Sequence, residues 1–277
     1  MTDQPAADQA ARYDRIALGY ARWWAPVLAP TATRLLSEVD PIGATAERVL
    51  DIGTGTGTLA VAAARRWSRP RIEAIDASSG MAVMAAAEAD RELPADDRAR
   101  LGFSTSFADR LPFEDSTFDL AISSFVLQLV PSRPAALREA RRVLRPGGTL
   151  AYVTWLEDSR AFAPDAEFDA ALDDVGIGAR EFDYRGGDVP SVPAAVHQLR
   201  RAGFRDVRAW STGLEYAFDP EGYLRFLAEF DEEDLFAELD PDLRARLEAR
   251  MRERFGFLSA DDFVLRLPVV SAIGRRP

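Results

Sequence analysis

The chain has 277 residues, 34 basic against 45 acidic side chains, a net charge of −11, no cysteine and a single histidine, His197. At about 100–200 residues per domain this is one large domain, or one domain carrying a sizeable insertion, long enough to bury a core without covalent staples. Disulfides, thiolate metal sites and histidine zinc sites are excluded, a Schiff-base or P-loop lysine is excluded because every basic residue is arginine, and the acidic balance opposes a nucleic-acid substrate.

The start, Met1 to Gln9, is polar and acidic, and no stretch approaches about 18 apolar residues, which predicts a soluble cytoplasmic protein without a membrane span. Ala10–Val39 reads as one or two amphipathic helices rich in Tyr and Trp. From Arg48 to Trp155 short β-rich runs alternate with helical runs, the pattern of a parallel sheet covered by helices and hence an α/β fold. The strands are Arg48–Ile52, Ile72–Asp76, Leu101–Thr105, Phe118–Ser123 and Thr149–Trp155. Between them run a helix through Leu59, Val61 and Ala64, one through Met81, Val83 and Met84 capped by Ser78 or Ser79, and one through Leu137, Ala140 and Val143. Arg145-Pro146-Gly147-Gly148 should stop that last helix.

Beyond Trp155 a loop-rich stretch leads to a helix near Val192–Ala202. Strand runs at Val207–Phe218 and Phe263–Ala272 could pair at a sheet edge, with the helical segment Pro220–Phe257 inserted between them. The organisation expected is cap helices over 1–40, a core over 41–219 and 258–277, and a helical lid over 220–257.

The chemistry begins at Asp51-Ile52-Gly53-Thr54-Gly55-Thr56-Gly57. A tight strand-to-helix bend needs positive φ, and a bare backbone lets a nucleotide-like ligand approach closely. A dinucleotide fingerprint would put its third glycine at position 58, which is Thr58, and this counts against a nicotinamide cofactor. Asp76, at the tip of the second strand, is placed to accept the hydroxyls of an adenosine ribose.

That loop with Asp76, Leu111-Pro112-Phe113 before Phe118-Asp119-Leu120, and Arg142-Val143-Leu144-Arg145-Pro146-Gly147-Gly148 before the fifth strand follow one another in a familiar order. Together they resemble the class I S-adenosylmethionine-dependent methyltransferases, and among them the ubiquinone/menaquinone-biosynthesis methyltransferases and their small-molecule relatives. The resemblance spans about Tyr13 to Trp155. It implies a Rossmann-like sheet of seven mostly parallel strands, helices on both faces, and an antiparallel last strand. It also implies S-adenosylmethionine as cofactor, no metal, and in-line methyl transfer to O, N or C of a small, partly apolar acceptor.

The implied cofactor contacts are Asp51, Gly53, Thr54, Gly55, Asp76, Ala77, Met81, Phe107, Ala108, Asp109, Ser124 and Tyr20. Tyr20 ends an N-terminal stretch, Tyr13-Asp14-Arg15-Ile16-Ala17-Leu18-Gly19-Tyr20, similar to the family's cofactor-covering helix. Phe107 stands where the family often has an aspartate, so the adenine is held either by Asp109 or by the backbone at Ala108 with Phe107. Trp23, Trp24, Phe125, Trp155, Phe226 and Phe230 are candidates for the acceptor pocket, although each also serves as an ordinary packing residue. The general base is unassigned, with Tyr20 and His197 as candidates, and a solvated surface histidine is the simpler reading of the latter. Rival readings are a dehydration, decarboxylation or cyclisation on the same cofactor site, and a non-catalytic binding module.

Overall fold

The structure, a computed structural model, describes residues 4–158, 161–178 and 187–277; part of the loop-rich stretch expected after Trp155 lies outside them. The chain divides into two compact units, one of 1–157, 186–212 and 268–277, the other of 158–185 and 213–267. The second unit is larger than the 220–257 insertion expected, because it also takes in residues before the sixth strand.

The first unit opens with α1 (Gln4–Gly19), a π-helical turn at Tyr20–Trp24 and α2 (Ala25–Glu38), so the N-terminal segment is two helices that begin earlier than the periodicity suggested. The short α3 (Asp40–Gly43) leads into β1 (Arg48–Ile52), α4 (Thr58–Arg66), β2 (Arg71–Asp76) and α5 (Ser79–Glu92). Ser78 is the cap of α5, its hydroxyl accepting from the Met81 amide. Next come α6 (Ala95–Arg98), β3 (Leu101–Thr105), β4 (Phe118–Ser124), α7 (Arg133–Val143) and β5 (Leu144–Trp155). In the second unit α8 (Ala163–Val175) forms where the sequence reading placed only loop, its apolar face spaced too sparsely among Asp and Ala to stand out. The rest of the chain is α9 (Val192–Arg201), β6 (Arg205–Ala217), α10 (Pro220–Phe226) with a π-turn at Leu227–Asp231, α11 (Glu233–Glu238), α12 (Pro241–Phe255) and β7 (Val264–Arg275).

The sheet has seven strands in the order β3-β2-β1-β4-β5-β7-β6. β1 to β5 are parallel and β7 runs antiparallel to β5, so the last strand enters between β5 and β6 as an edge addition. One sheet face, carrying Leu50, Ile52, Phe118 and Tyr152, packs on α7 and α9. Side chains alternate along a strand, so Asp51 points to the other face, where α2 packs against α4.

Arg145-Pro146-Gly147-Gly148 is not a loop after the helix but a bulged start of β5: Phe118 pairs with Leu144 and Leu120 with Thr149. The Gly147 amide donates to the Arg276 carbonyl and the Arg276 amide to the Gly148 carbonyl, each at 2.8 Å, so the sheet satisfies the backbone that proline and glycine would otherwise leave open. Asp119 clamps this corner, accepting from the Glu47 and Arg48 amides and from Arg145. Burial opposes its charge, but these donors outweigh it and hold the carboxyl below its usual range. Arg142 reaches the Leu111 and Phe113 carbonyls while paired with Glu139 and Asp115. Two of the recognised motifs are thus structural locks.

The second unit is built round its own aromatic core. Phe168 stacks on Phe236, and Tyr223 packs among Phe218, Phe226, Phe255 and Phe263. Arg250 and Arg254 of α12 both hold Asp174 of α8.

Candidate cofactor and acceptor site

The bend after β1 places Gly53, Gly55 and Gly57 at φ of 73°, 54° and 89°, all in the left-handed region. Their surroundings separate their roles. A Cβ on Gly53 would lie 2.2 Å from a Val126 methyl, and one on Gly57 would press on the α5 backbone at Ala85, so these two are required by packing. A Cβ on Gly55 meets nothing nearer than the Tyr20 ring at 3.8 Å. Gly55 therefore presents bare backbone to open space, as a cradle for a closely held ligand must.

The bend is tied to the tip of β2. The Gly53 and Thr54 amides both donate to the Ile75 carbonyl at 2.8 Å, and the Gly55 amide donates to Asp76 Oδ2 at 2.8 Å. Asp76 Oδ1 accepts from the Ser78 amide at 2.9 Å. Each carboxylate oxygen keeps lone pairs free for further donors. Burial raises the Asp76 pKa, and the backbone donors of Ser78, Gly55 and Ala77 pull it back.

These residues open onto a cavity. Of the residues singled out in the sequence, Gly53, Thr54, Gly55, Asp76, Ala77, Met81, Phe107, Ala108, Asp109, Ser124, Tyr20 and Phe125 all line it. Asp51 does not: it lies wholly buried beneath the bend, and neither carboxylate oxygen has a hydrogen-bond partner of good geometry. Desolvation pushes its pKa up to about 7, the nearby Thr54 hydroxyl opposing and the Asp76 charge reinforcing the shift.

Trp155 stands behind the wall, 4.3 Å from the Phe125 ring between centroids, and Trp24 lies 6.3 Å from Trp155. Trp23 lies in the π-turn, its ring under the Arg22 guanidinium. Phe226 and Phe230 belong to the aromatic cluster of the second unit, 5.6 Å apart. His197 lies on α9 beside Arg201 and Arg138, in a separate cleft that shares no residue with the cavity. Of the two candidate bases only Tyr20 is on the cavity wall, and burial raises its pKa far above the ordinary phenol value.

The sequence reading missed how the N-terminal helix is held. Asp14 Oδ1 accepts from the Ser78 hydroxyl at 2.6 Å and from the Gly80 amide at 2.7 Å, latching α1 to the start of α5 beside Asp76. The Ser78 hydroxyl foremost, then the Gly80 amide, lower its pKa. An acid next to Tyr13 and a serine pair after Asp76 were both visible, but only the fold shows them meeting. Asp14→Ala is expected to free α1, making it sensitive to limited proteolysis, and to weaken S-adenosylhomocysteine binding by about tenfold in calorimetry. Unchanged proteolysis and affinity would deny the latch.

A seven-stranded sheet of this order, with a glycine bend opening into a cavity beside an acid at the next strand tip, defines the Rossmann-like cofactor-binding class. Residues 49–148 match the family described as "Methyltransferase domain". The chain is 32% identical over 249 residues to a malonyl-[acyl-carrier protein] O-methyltransferase of Geobacter sulfurreducens, covering 88% of this chain and 89% of that one. It is 29% identical over 205 residues to a demethylmenaquinone methyltransferase of Mycobacterium tuberculosis, covering 70% and 77%. In fold it is similar to a Haemonchus contortus phosphoethanolamine N-methyltransferase solved with phosphomonomethylethanolamine and S-adenosylhomocysteine, with a TM-score of 0.53, 18% identity, and coverage of 88% of this chain and 52% of that one.

The chain belongs to the S-adenosylmethionine-dependent methyltransferases, and S-adenosylmethionine is its cofactor. The residues fit that molecule: Gly55 offers a bare backbone and Asp76 a carboxylate with free lone pairs. Among the described residues no group of side chains suits a metal, and no helix is long and apolar enough to cross a membrane.

Proposed function

We propose that this methyltransferase acts on a small, partly apolar acceptor whose attacking atom arrives with its lone pair free, a carboxylate oxygen of a short acyl acid. The cofactor supplies the electrophilic methyl group. The chain holds the cofactor at Gly55 and Asp76, orients the acceptor, and keeps water from the reacting atoms.

The observation that carries this reading is the make-up of the cavity wall. Beyond Asp76 and Asp109, the titratable groups among its described residues are Tyr13 and Tyr20, whose phenols burial holds in the neutral form. The remaining wall includes Phe125, Val126, Leu129 and Val130. Such a wall suits an acceptor that needs no base, and a carboxylate, with a pKa of about 4, is ionised at neutral pH. The full-length similarity to a protein named as an O-methyltransferase supports the same choice. The net charge of −11 favours an enzyme that does not work on nucleic acid.

Release of S-adenosylhomocysteine across a panel of free-carboxylate acyl thioesters, amines, phenols and quinols tests this. The expected result is turnover on a carboxylate, with kcat/KM level from about pH 6 to 9. Turnover only on quinols or phenols, with a rate that climbs toward their own ionisation, would overturn it.

A further inference from the structure

The cleft that holds His197 has no place in the reaction described above. It lies between α7 and α9, where Arg133, Arg138, His197, Gln198 and Arg201 surround an apolar floor at Leu137. No carboxylate is among its described lining residues, in a chain whose net charge is −11.

Elsewhere in the same unit arginines are neutralised: Arg66 by Asp40, Arg100 by Asp97, Arg142 by Glu139, Arg145 by Asp119. Arg138 and Arg201 are exposed, and no ion pair joins either to another of the described residues. Arg133 is half-buried, and its partners are neutral: Nε donates to the Leu127 carbonyl at 3.0 Å and Nη1 to Gln198 Oε1 at 3.2 Å. Desolvation lowers its pKa, while the Asp188 carboxylate is near enough to oppose that shift without pairing. Tyr152, inside the core, keeps a hydroxyl that is fully buried and without a partner. Bringing guanidinium groups together round one concavity, and desolvating one of them, costs free energy that two neutral hydrogen bonds and the unpaired Asp188 return only in part. An anion would return it.

We propose that the α7–α9 cleft is a binding site for a phosphate-type anion, separate from the cofactor cavity. Several arginine forks converging from two helices match a group with several charged oxygens better than a single carboxylate, because each fork offers parallel donors. The place is also suggestive of use. α7 begins directly after Val130 and Pro131, which line the cofactor cavity, and Arg133 grips Leu127 in that same loop. An anion seated on Arg133 therefore braces the loop that carries Phe125 to Pro131. The phosphate belongs either to the tail of the acceptor or to a free effector.

The test uses the full-length protein and inorganic pyrophosphate as the probe, with the double variant Arg138→Ser/Arg201→Ser; both side chains are exposed, so the fold is retained. Calorimetry should show saturable pyrophosphate binding that the double variant weakens by about tenfold or more, with the affinity for S-adenosylhomocysteine unchanged. Two acceptor thioesters, one bearing a phosphate and one without it, separate the sources. If the phosphate is part of the acceptor, the variant raises KM for the first only and leaves kcat alone. If it is an effector, KM for both stays put while pyrophosphate binding is still lost. Absence of pyrophosphate binding to the wild type at about 10 mM, a concentration at which even weak anion sites fill, or equal binding by wild type and variant, would overturn the proposal.

Discussion

Asp76→Asn is expected to raise the dissociation constant of S-adenosylhomocysteine by about two orders of magnitude without unfolding the protein. The carboxylate already accepts one amide on each oxygen, from Gly55 and Ser78, and these bonds fix the bend against the tip of β2. Its remaining lone pairs are the acceptors available to a ribose diol, each charge-assisted bond contributing about 1.5–3 kcal/mol. Asparagine keeps one oxygen and turns an NH₂ group toward a backbone amide or a hydroxyl, so it loses the charge and at least one acceptor. Calorimetric titration alongside circular dichroism separates binding from folding. An affinity within about threefold of the wild type would remove Asp76 from the cofactor site.

The second large effect concerns Asp51. Its folded pKa of about 7 stands well above the ordinary 3.8, because the carboxyl is wholly buried and its charge is uncompensated. The folded state therefore binds this proton more tightly than the unfolded chain does. Stability from this group is intact below about pH 4, declines as pH rises through about 7, and is fully lost above that, a swing of up to about 4 kcal/mol. Asp51→Asn removes the ionisation, so the unliganded variant should melt several degrees above the wild type at about pH 8. Below about pH 3 the two should converge, since the wild-type carboxyl is then largely protonated in both states. Thermal unfolding at both pH values reads this directly, and parallel curves would deny the buried carboxylate.

Much of this molecule was legible because the relevant forces are local. The five parallel strands are short apolar runs bounded by turn residues, and they form within a residue or two of where the pattern put them, apart from the bulged start of β5. The glycine bend was readable for the same reason: three alternating positive φ values demand glycine at those positions whatever surrounds them. The cavity's roll of residues came from the family resemblance; the bend at residues 53–57 and Asp76 sit where two neighbouring parallel strands end, at one edge of the sheet, whereas Leu111-Pro112-Phe113 and residues 142–148 line none of the cavity.

Other features depend on side chains meeting across long separations. Asp14 and Ser78 are 64 residues apart, and no local pattern pairs them. Phe226 and Phe230 read as packing residues more than as walls of a pocket; the aromatic core of the second unit shows the company they keep. His197 was a candidate base only until α9 was seen to carry it to a different cleft, among arginines of α7.

By itself the sequence determined the sheet, the bend and the acid beside it, because periodicity and backbone stereochemistry act over a few residues. Only the tertiary structure decided which buried charges go unpaired: Asp51 under the loop, Arg133 beside the cleft. Pairing is a property of distances between segments far apart in the chain, and desolvation exists only once the core has closed around them.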